Sequence, residues 1–249
     1  MVYEPIHDRI VPSMIFYIVL CVFSIFMTIK MYKKYKERKV RPPLLMTLIF
    51  LTFTVALLSL TVGLIETVIT GYFMEIYRIS LPFAYSSIIV ADILLYLFSK
   101  DITDKDPKAL IPLIIIGTII IIVLALPFNW WGFPSEAYEG KLNIRTYSTI
   151  SMVIYSYAVF LNIAIIIHKT KREAPNNIAR VGLSLFFNSI ICLMLFFAMI
   201  IGDTLLIIIF DHVGYSEFIY IAWIFAVMFY IFTYMSLVMP NWLKQRIKE

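Results

Sequence analysis

Apolar residues in this chain gather into runs of about twenty, separated by short polar gaps. The runs fall at 12–31, 43–67, 79–99, 109–127, 147–168, 178–202 and 217–239. Each is long enough for one helical passage of a hydrocarbon core, which takes roughly 20 residues. The pattern predicts an all-α membrane protein, a single seven-transmembrane helix bundle over 1–249 with no extramembrane domain. Helix punctuation agrees with it. Pro42 and Pro43 open the second run, Pro107 and Pro112 flank the start of the fourth, and Pro127 ends it. Pro175, Asn176 and Asn177 precede the sixth, and Pro240 ends the seventh. Beyond Pro240, residues 240–249 read as a short amphipathic helix, with Trp242, Leu243 and Ile247 set against Lys244, Arg246 and Lys248. The stretch 203–216 fits either a continued sixth helix or a loop lying on the membrane.

Charge gives the runs a direction. Segments 30–41, 100–108, 169–180 and the tail carry seven, three, four and three Lys or Arg residues, 17 of the 21 in the chain. Only Arg9, Arg78, Lys141 and Arg145 fall in the alternate gaps. Short loops rich in Lys and Arg stay cytoplasmic. The N-terminus is therefore expected outside and the C-terminus in the cytoplasm of a multi-pass cell-membrane protein. Trp130, Trp131 and Trp242 fall just beyond run ends, as interfacial residues do. The first run is preceded by Glu4, Asp8 and Arg9 and followed by the basic cluster, so it reads as a retained helix rather than a cleaved signal.

Composition sharpens this. The chain is 61% hydrophobic and 15% charged, where a soluble domain is nearer half and a quarter. Its net charge of +5 belongs to the loops that face anionic headgroups, so nucleic acid is not an expected partner. Cys21 and Cys192 both lie inside runs, and His7, His168 and His212 are scattered; neither a disulfide nor a metal site is expected.

An ionisable group inside a span is costly and usually functional. Asp92 is the one set deep, and Arg78, Pro82, Tyr85, Asp92, Tyr96 and Ser99 share one helical face. Asn162, Asn188, Tyr230 and Tyr234 fall at a similar depth, so Asp92 is expected in a buried polar layer with them. In the fifth run the expected inner stripe is Ser148, Ser151, Tyr155, Ala158 and Asn162; in the sixth it is Ser184, Asn188 and Cys192. No Lys or Arg lies at the depth of Asp92, which favours its neutral form. A second expected site is an outer cleft lined by Glu66, Arg78, Tyr85, Tyr155, Tyr220 and Trp223, with Asp203 and Glu217 nearby. Hydrogen bonding between helices or an ordinary interfacial belt would account for many of these residues equally well.

Several chemistries are excluded. The seventh run holds no lysine for a retinal Schiff base, so no cofactor is expected. Gly-x-Ser-Gly and paired intramembrane Asp motifs are missing, and no catalytic set converges at one depth, so an enzyme is not expected. The third run ends Phe98-Ser99-Lys100-Asp101, not in the Asp-Arg-Tyr of G-protein-coupled receptors.

The topology, with its last helix passing into the basic segment SLVMPNWLKQRIKE, resembles the seven-helix sensor modules at the N-termini of prokaryotic signalling proteins such as histidine kinases. The resemblance implies a membrane receptor or sensor that binds a small or lipidic ligand in its outer cleft. The chain ends at Glu249 without an output domain, so such a sensor would act through a separate cytoplasmic signalling partner docked on loops 30–41 and 169–180, or the 249 residues are a detached module of a longer protein. The rival expectation is a small-molecule or ion/proton transporter built on Asp92. None of the runs is broken by a central Gly or Pro, as transporter helices often are.

Overall fold

The computed structural model describes residues 5–103, 109–126, 144–210, 212 and 214–248, and side chains except those of 144–147 and 248. The expected interfacial Trp130 and Trp131, together with Lys105, Pro107, Lys108, Pro127 and Lys141, lie outside the described residues. Among the described residues there are eight helices: α1 (Ile10–Arg38), α2 (Arg41–Thr70), α3 (Glu75–Thr103), α4 (Leu110–Ala125), α5 (Ile144–Arg172), α6 (Asn177–Phe210), α7 (Glu217–Val238) and α8 (Asn241–Lys248). Among the described residues the only β pairing is an isolated bridge between Pro5 and Tyr72.

Six of these helices, α1 to α3 and α5 to α7, are long and apolar enough to cross a membrane. They close a ring in the order α1, α2, α3, α5, α6, α7 and back to α1. Helix α4, the counterpart of run 109–127, has 16 residues and lies outside the ring against α3 and α5. It buries one stripe, Leu113, Gly117, Ile120 and Leu124, and turns Ile111, Ile115, Ile119 and Ile122 outward. Ile15, Val22 and Ile29 on α1 and Val62 and Ile69 on α2 are likewise exposed. Apolar surface on this scale would drive association in water and is what a lipid solvent requires.

The undecided stretch 203–216 resolves into two parts. Helix α6 runs on to Phe210, giving 34 residues and a length of about 51 Å at the helical rise. Gly214 (φ +82°) and Tyr215 (φ +52°) then turn the chain into α7.

Helix ends are set by local chemistry. Pro42 and Pro43 occupy the first turn of α2, where their missing N–H groups have no helical partner to lose. At its far end Gly71 takes a left-handed conformation (φ +76°) and returns its N–H to the Thr67 carbonyl. Asn176 Oδ1 accepts the Ala179 N–H at 2.7 Å and so caps α6. The linkers sort to two ends. One gathers 38–41, the C-terminal turn of α3, 172–177 and 239–248 and carries the basic loops. The other gathers the N-terminal segment, 71–74 and 212–216.

Candidate functional site

Helix α3 presents the face that its sequence spacing predicts. Arg78, Pro82, Asp92, Tyr96 and Ser99 are buried and Tyr85 is half-buried. Asp92 is fully enclosed between α3 and α5. Ser156 Oγ donates to its Oδ2 at 2.6 Å, while Oδ1 has no hydrogen-bond partner among the described residues. Met152 Sδ lies 3.7 Å from the same serine hydroxyl. A buried carboxyl with one hydroxyl donor and no cation is stable only as the neutral acid or beside a bound cation.

The next turn of this site is fastened by α4. Tyr155, buried one residue before Ser156, donates its hydroxyl to the Leu113 carbonyl at 3.1 Å. Gly117 makes the approach possible: a Cβ there would lie 2.9 Å from the Tyr155 hydroxyl and 3.0 Å from Ile89. Tyr155 therefore joins α5 to α4 and does not line an outer cleft.

The expected polar layer does not assemble. Asn162 and Asn188 are exposed on the outside of the ring, with Asn162 donating to the Ala158 carbonyl of its own helix at 2.8 Å. The inner face of α5 is instead set by Met152, Val153, Ser156, Val159, Phe160, Ile163 and Ile167, which places Ser151, Ala158 and Asn162 outward. On α6 the inward residues include Phe186, Ser189, Ile190, Cys192 and Leu193, so the neighbouring Asn188 points away. Bulky apolar side chains fill the ring, and a short amide that satisfies itself on its own helix is tolerated outside it. Tyr230 is buried beside Ser24 and 5.7 Å from Phe50, apart from Asp92; Tyr234 is half-buried, 6.2 Å from Phe26. Ser24 belongs to a hydroxyl chain between α1 and α2. Thr54 Oγ1 donates to it at 2.8 Å, and it donates to the Phe50 carbonyl at 3.2 Å.

The end opposite the basic loops brings together more of the expected residues, but in different roles. Glu66 Oε2 accepts the Tyr77 N–H at 3.1 Å, capping α3 from α2. Asp203 Oδ1 accepts the Ser216 N–H at 2.8 Å, pinning the turn into α7 from α6. Each carboxylate meets the positive end of a helix dipole. Arg78 is buried and pairs with Glu75 at 3.0 Å. The Tyr220 hydroxyl donates to the Arg9 carbonyl at 2.8 Å, and Arg9 Nη1 lies 3.5 Å from Glu217. The Tyr77 and Tyr215 hydroxyls meet at 2.9 Å.

Trp223 is the core of this end. It is buried, stacks edge-on against Tyr17 with centroids 4.3 Å apart, and lies 5.3 Å from Phe196. Its indole Nε1–H finds no acceptor among the described residues, and neither Ser13 Oγ on α1 nor Ser216 Oγ beside α7 has a partner. Sequence spacing overlooks Ser156, Ser13 and Tyr17, since isolated hydroxyls in apolar runs carry no periodic signal. Tyr17 alone, aromatic and one turn from Ser13, could have been flagged.

No family model matches the chain, and neither a curated protein nor a solved structure matches it.

Proposed function

We propose that this chain is an integral membrane receptor or sensor of seven transmembrane helices, with its N-terminus outside, its basic end in the cytoplasm, and α8 lying in the cytoplasmic headgroup layer. The aromatic end takes a small or lipidic ligand, and the basic loops 30–41 and 169–180 report it to a cytoplasmic partner. The observation that carries the reading is Trp223. Its buried N–H has no acceptor beside the Tyr17 and Phe196 rings, and the same end of the bundle holds two further unpartnered buried hydroxyls, those of Ser13 and Ser216. An amphipathic molecule with one acceptor oxygen would satisfy the donor and bury its apolar part on the rings. Because the same end is tied together through Arg9, Tyr77, Asp203 and Tyr215, a guest that spreads the rings would shift α1, α3, α6 and α7 relative to one another. Its differential affinity for the two arrangements would set the size of the response.

The test is a thermal-shift and fluorescence screen with aromatic alcohols and medium-chain fatty alcohols as probes. A binder whose stabilisation and tryptophan fluorescence change both vanish in Trp223→Phe supports the reading. Binders that act equally on Trp223→Phe count against it.

The unpartnered Oδ1 of Asp92 favours a second reading, a proton or cation carrier. Asn162 and Asn188, expected to complete such a site, face away from it. Proteoliposomes loaded with a pH-sensitive dye decide between the two: proton flux abolished by Asp92→Asn supports a carrier, and an absence of flux in the wild type supports the receptor.

A further inference from the structure

The seam between α1 and α7 is the least extensive contact in the ring, and Lys34 of α1 and Lys244 of α8 come near each other at its basic end. Lys34, half-buried at the end of α1 beyond run 12–31, donates its ammonium to the Leu237 carbonyl in the last turn of α7. Arg38, one turn further along α1, and Lys244, on α8, are close enough to repel it, and Glu37 is the one acid that offsets them. Burial and these two neighbours hold the Lys34 ammonium down to about 8 from its ordinary 10.5. A cluster of three cations with one acid is stabilised by an anion with several oxygens.

The surroundings say which anion. Trp242 stands exposed on α8 two residues before Lys244, an interfacial anchor. Leading away from the cluster along the same seam, Phe26 on α1 and Ile231 on α7 are both exposed, and Phe26 lies 6.2 Å from Tyr234. The charged head position is therefore followed along α1 and α7 by exposed apolar side chains.

We propose that the α1/α7/α8 seam binds an anionic phospholipid, its headgroup phosphate held by Lys34, Arg38 and Lys244 and an acyl chain lying along Phe26 and Ile231. The site is independent of the ligand proposed for the aromatic end and needs only that the basic end sits at a headgroup surface. Lipid in this seam would fix how α1 and α7 pack at the basic end, which makes membrane composition an input to the protein.

Native mass spectrometry of the detergent-purified protein tests it, with phosphatidylglycerol and phosphatidylcholine of identical chains as probes. Preferential retention of phosphatidylglycerol is expected, with affinity falling about fivefold for each cation removed in Lys34→Gln and Lys244→Gln. Lys169→Gln with Arg180→Gln, an equal loss of charge at another loop, should leave retention unchanged. Equal losses in both double variants would show diffuse attraction and overturn the site. Inorganic phosphate that protects as well as the lipid would also overturn it, by making a soluble anion the ligand. Should the variants fail to fold, the wild type still decides. With Arg38, Lys244 and Glu37 the charged groups facing Lys34, phosphatidylglycerol affinity should fall as pH rises through about 8, and a flat profile to pH 9 would refute the assignment.

Discussion

The two ends of the bundle solve the same problem with opposite charges. At the aromatic end, carboxylates reach across to the N-termini of neighbouring helices: Glu66 to the Tyr77 amide and Asp203 to the Ser216 amide. At the basic end, donors reach the carbonyl side. Lys34 meets the Leu237 carbonyl, and Ser236 donates to the Gly182 carbonyl at 2.8 Å. Glu66, Asp203 and Lys34 each complement the dipole of the helix end they reach, whereas the Ser236 contact, near the N-terminal end of α6, is a neutral hydrogen bond. The two ends differ in packing. At Gly63 the helices α2 and α3 approach until an added Cβ would meet the Tyr77 backbone, whereas at the basic end α1 reaches α7 through the long Lys34 side chain and an added Cβ at Gly182 would meet the flexible Met239 side chain. The aromatic end is therefore expected to be rigid and intolerant of added volume, and the basic end adjustable.

The strongest way to break that contrast is Gly63. A Cβ at this position would sit 2.5 Å from Ser80 Oγ and 2.9 Å from the Tyr77 Cα, and the second of these atoms is backbone that cannot swing aside. Gly63→Val should cost about 3 kcal/mol or prevent assembly altogether. Fluorescence-detected size exclusion after a heat series would show it as a large drop in the midpoint, or as aggregated material at all temperatures. A midpoint near wild type would mean that α2 and α3 are not in close approach here.

How much of this was readable in the residues differs by helix. The inner face of α3 follows from Asp92 and the Arg78, Tyr96 and Ser99 positions around it, because a carboxyl deep in an apolar helix has only one tolerable direction. The same reasoning serves α5 and α6 only in part, since Ser148, Tyr155 and Cys192 are buried while Asn162 and Asn188 are exposed. There the polar stripe through Ser151, Ala158 and Asn162 faces out while the apolar positions face in, since both the core and its surroundings are apolar and polarity no longer marks the inside. Ser156, the one donor to Asp92 among the described residues, was hidden because it stands one residue off that stripe.

Asp203 supplies the next effect in size. Asp203→Ala leaves the Ser216 amide, which lies at a buried residue, without its acceptor, at about 2 kcal/mol. Asp203→Asn keeps an acceptor but removes the charge, and should recover about half of the loss. Glu66→Gln, at a half-buried carboxylate, should cost less, about 1 kcal/mol. Equal melting midpoints for Asp203→Ala and Asp203→Asn would show that the charge, rather than the hydrogen bond, fixes the turn.

At the basic end the informative variable is pH. The Lys34 ammonium lies at about 8 in the folded protein, below its ordinary 10.5, so between these values the unfolded chain binds more protons. Stability in neutral detergent should therefore rise as pH increases from about 8 towards 10, and the slope should vanish in Lys34→Gln. A falling slope would show that the Leu237 carbonyl outweighs the repulsion from Arg38 and Lys244, reversing the sign assigned to this cluster.

Gly182 gives the smallest effect and the closest counterpart to Gly63. A Cβ there would lie 3.2 Å from the Met239 Cε, the far end of a flexible side chain, and 3.8 Å from the Ser236 carbonyl oxygen. Met239 can turn aside, while alanine removes the conformational freedom that glycine gives the unfolded chain. Gly182→Ala should raise the melting midpoint slightly, by the equivalent of about 0.5 kcal/mol. If it is instead as damaging as a substitution at Gly63, the basic end is packed as tightly as the aromatic end.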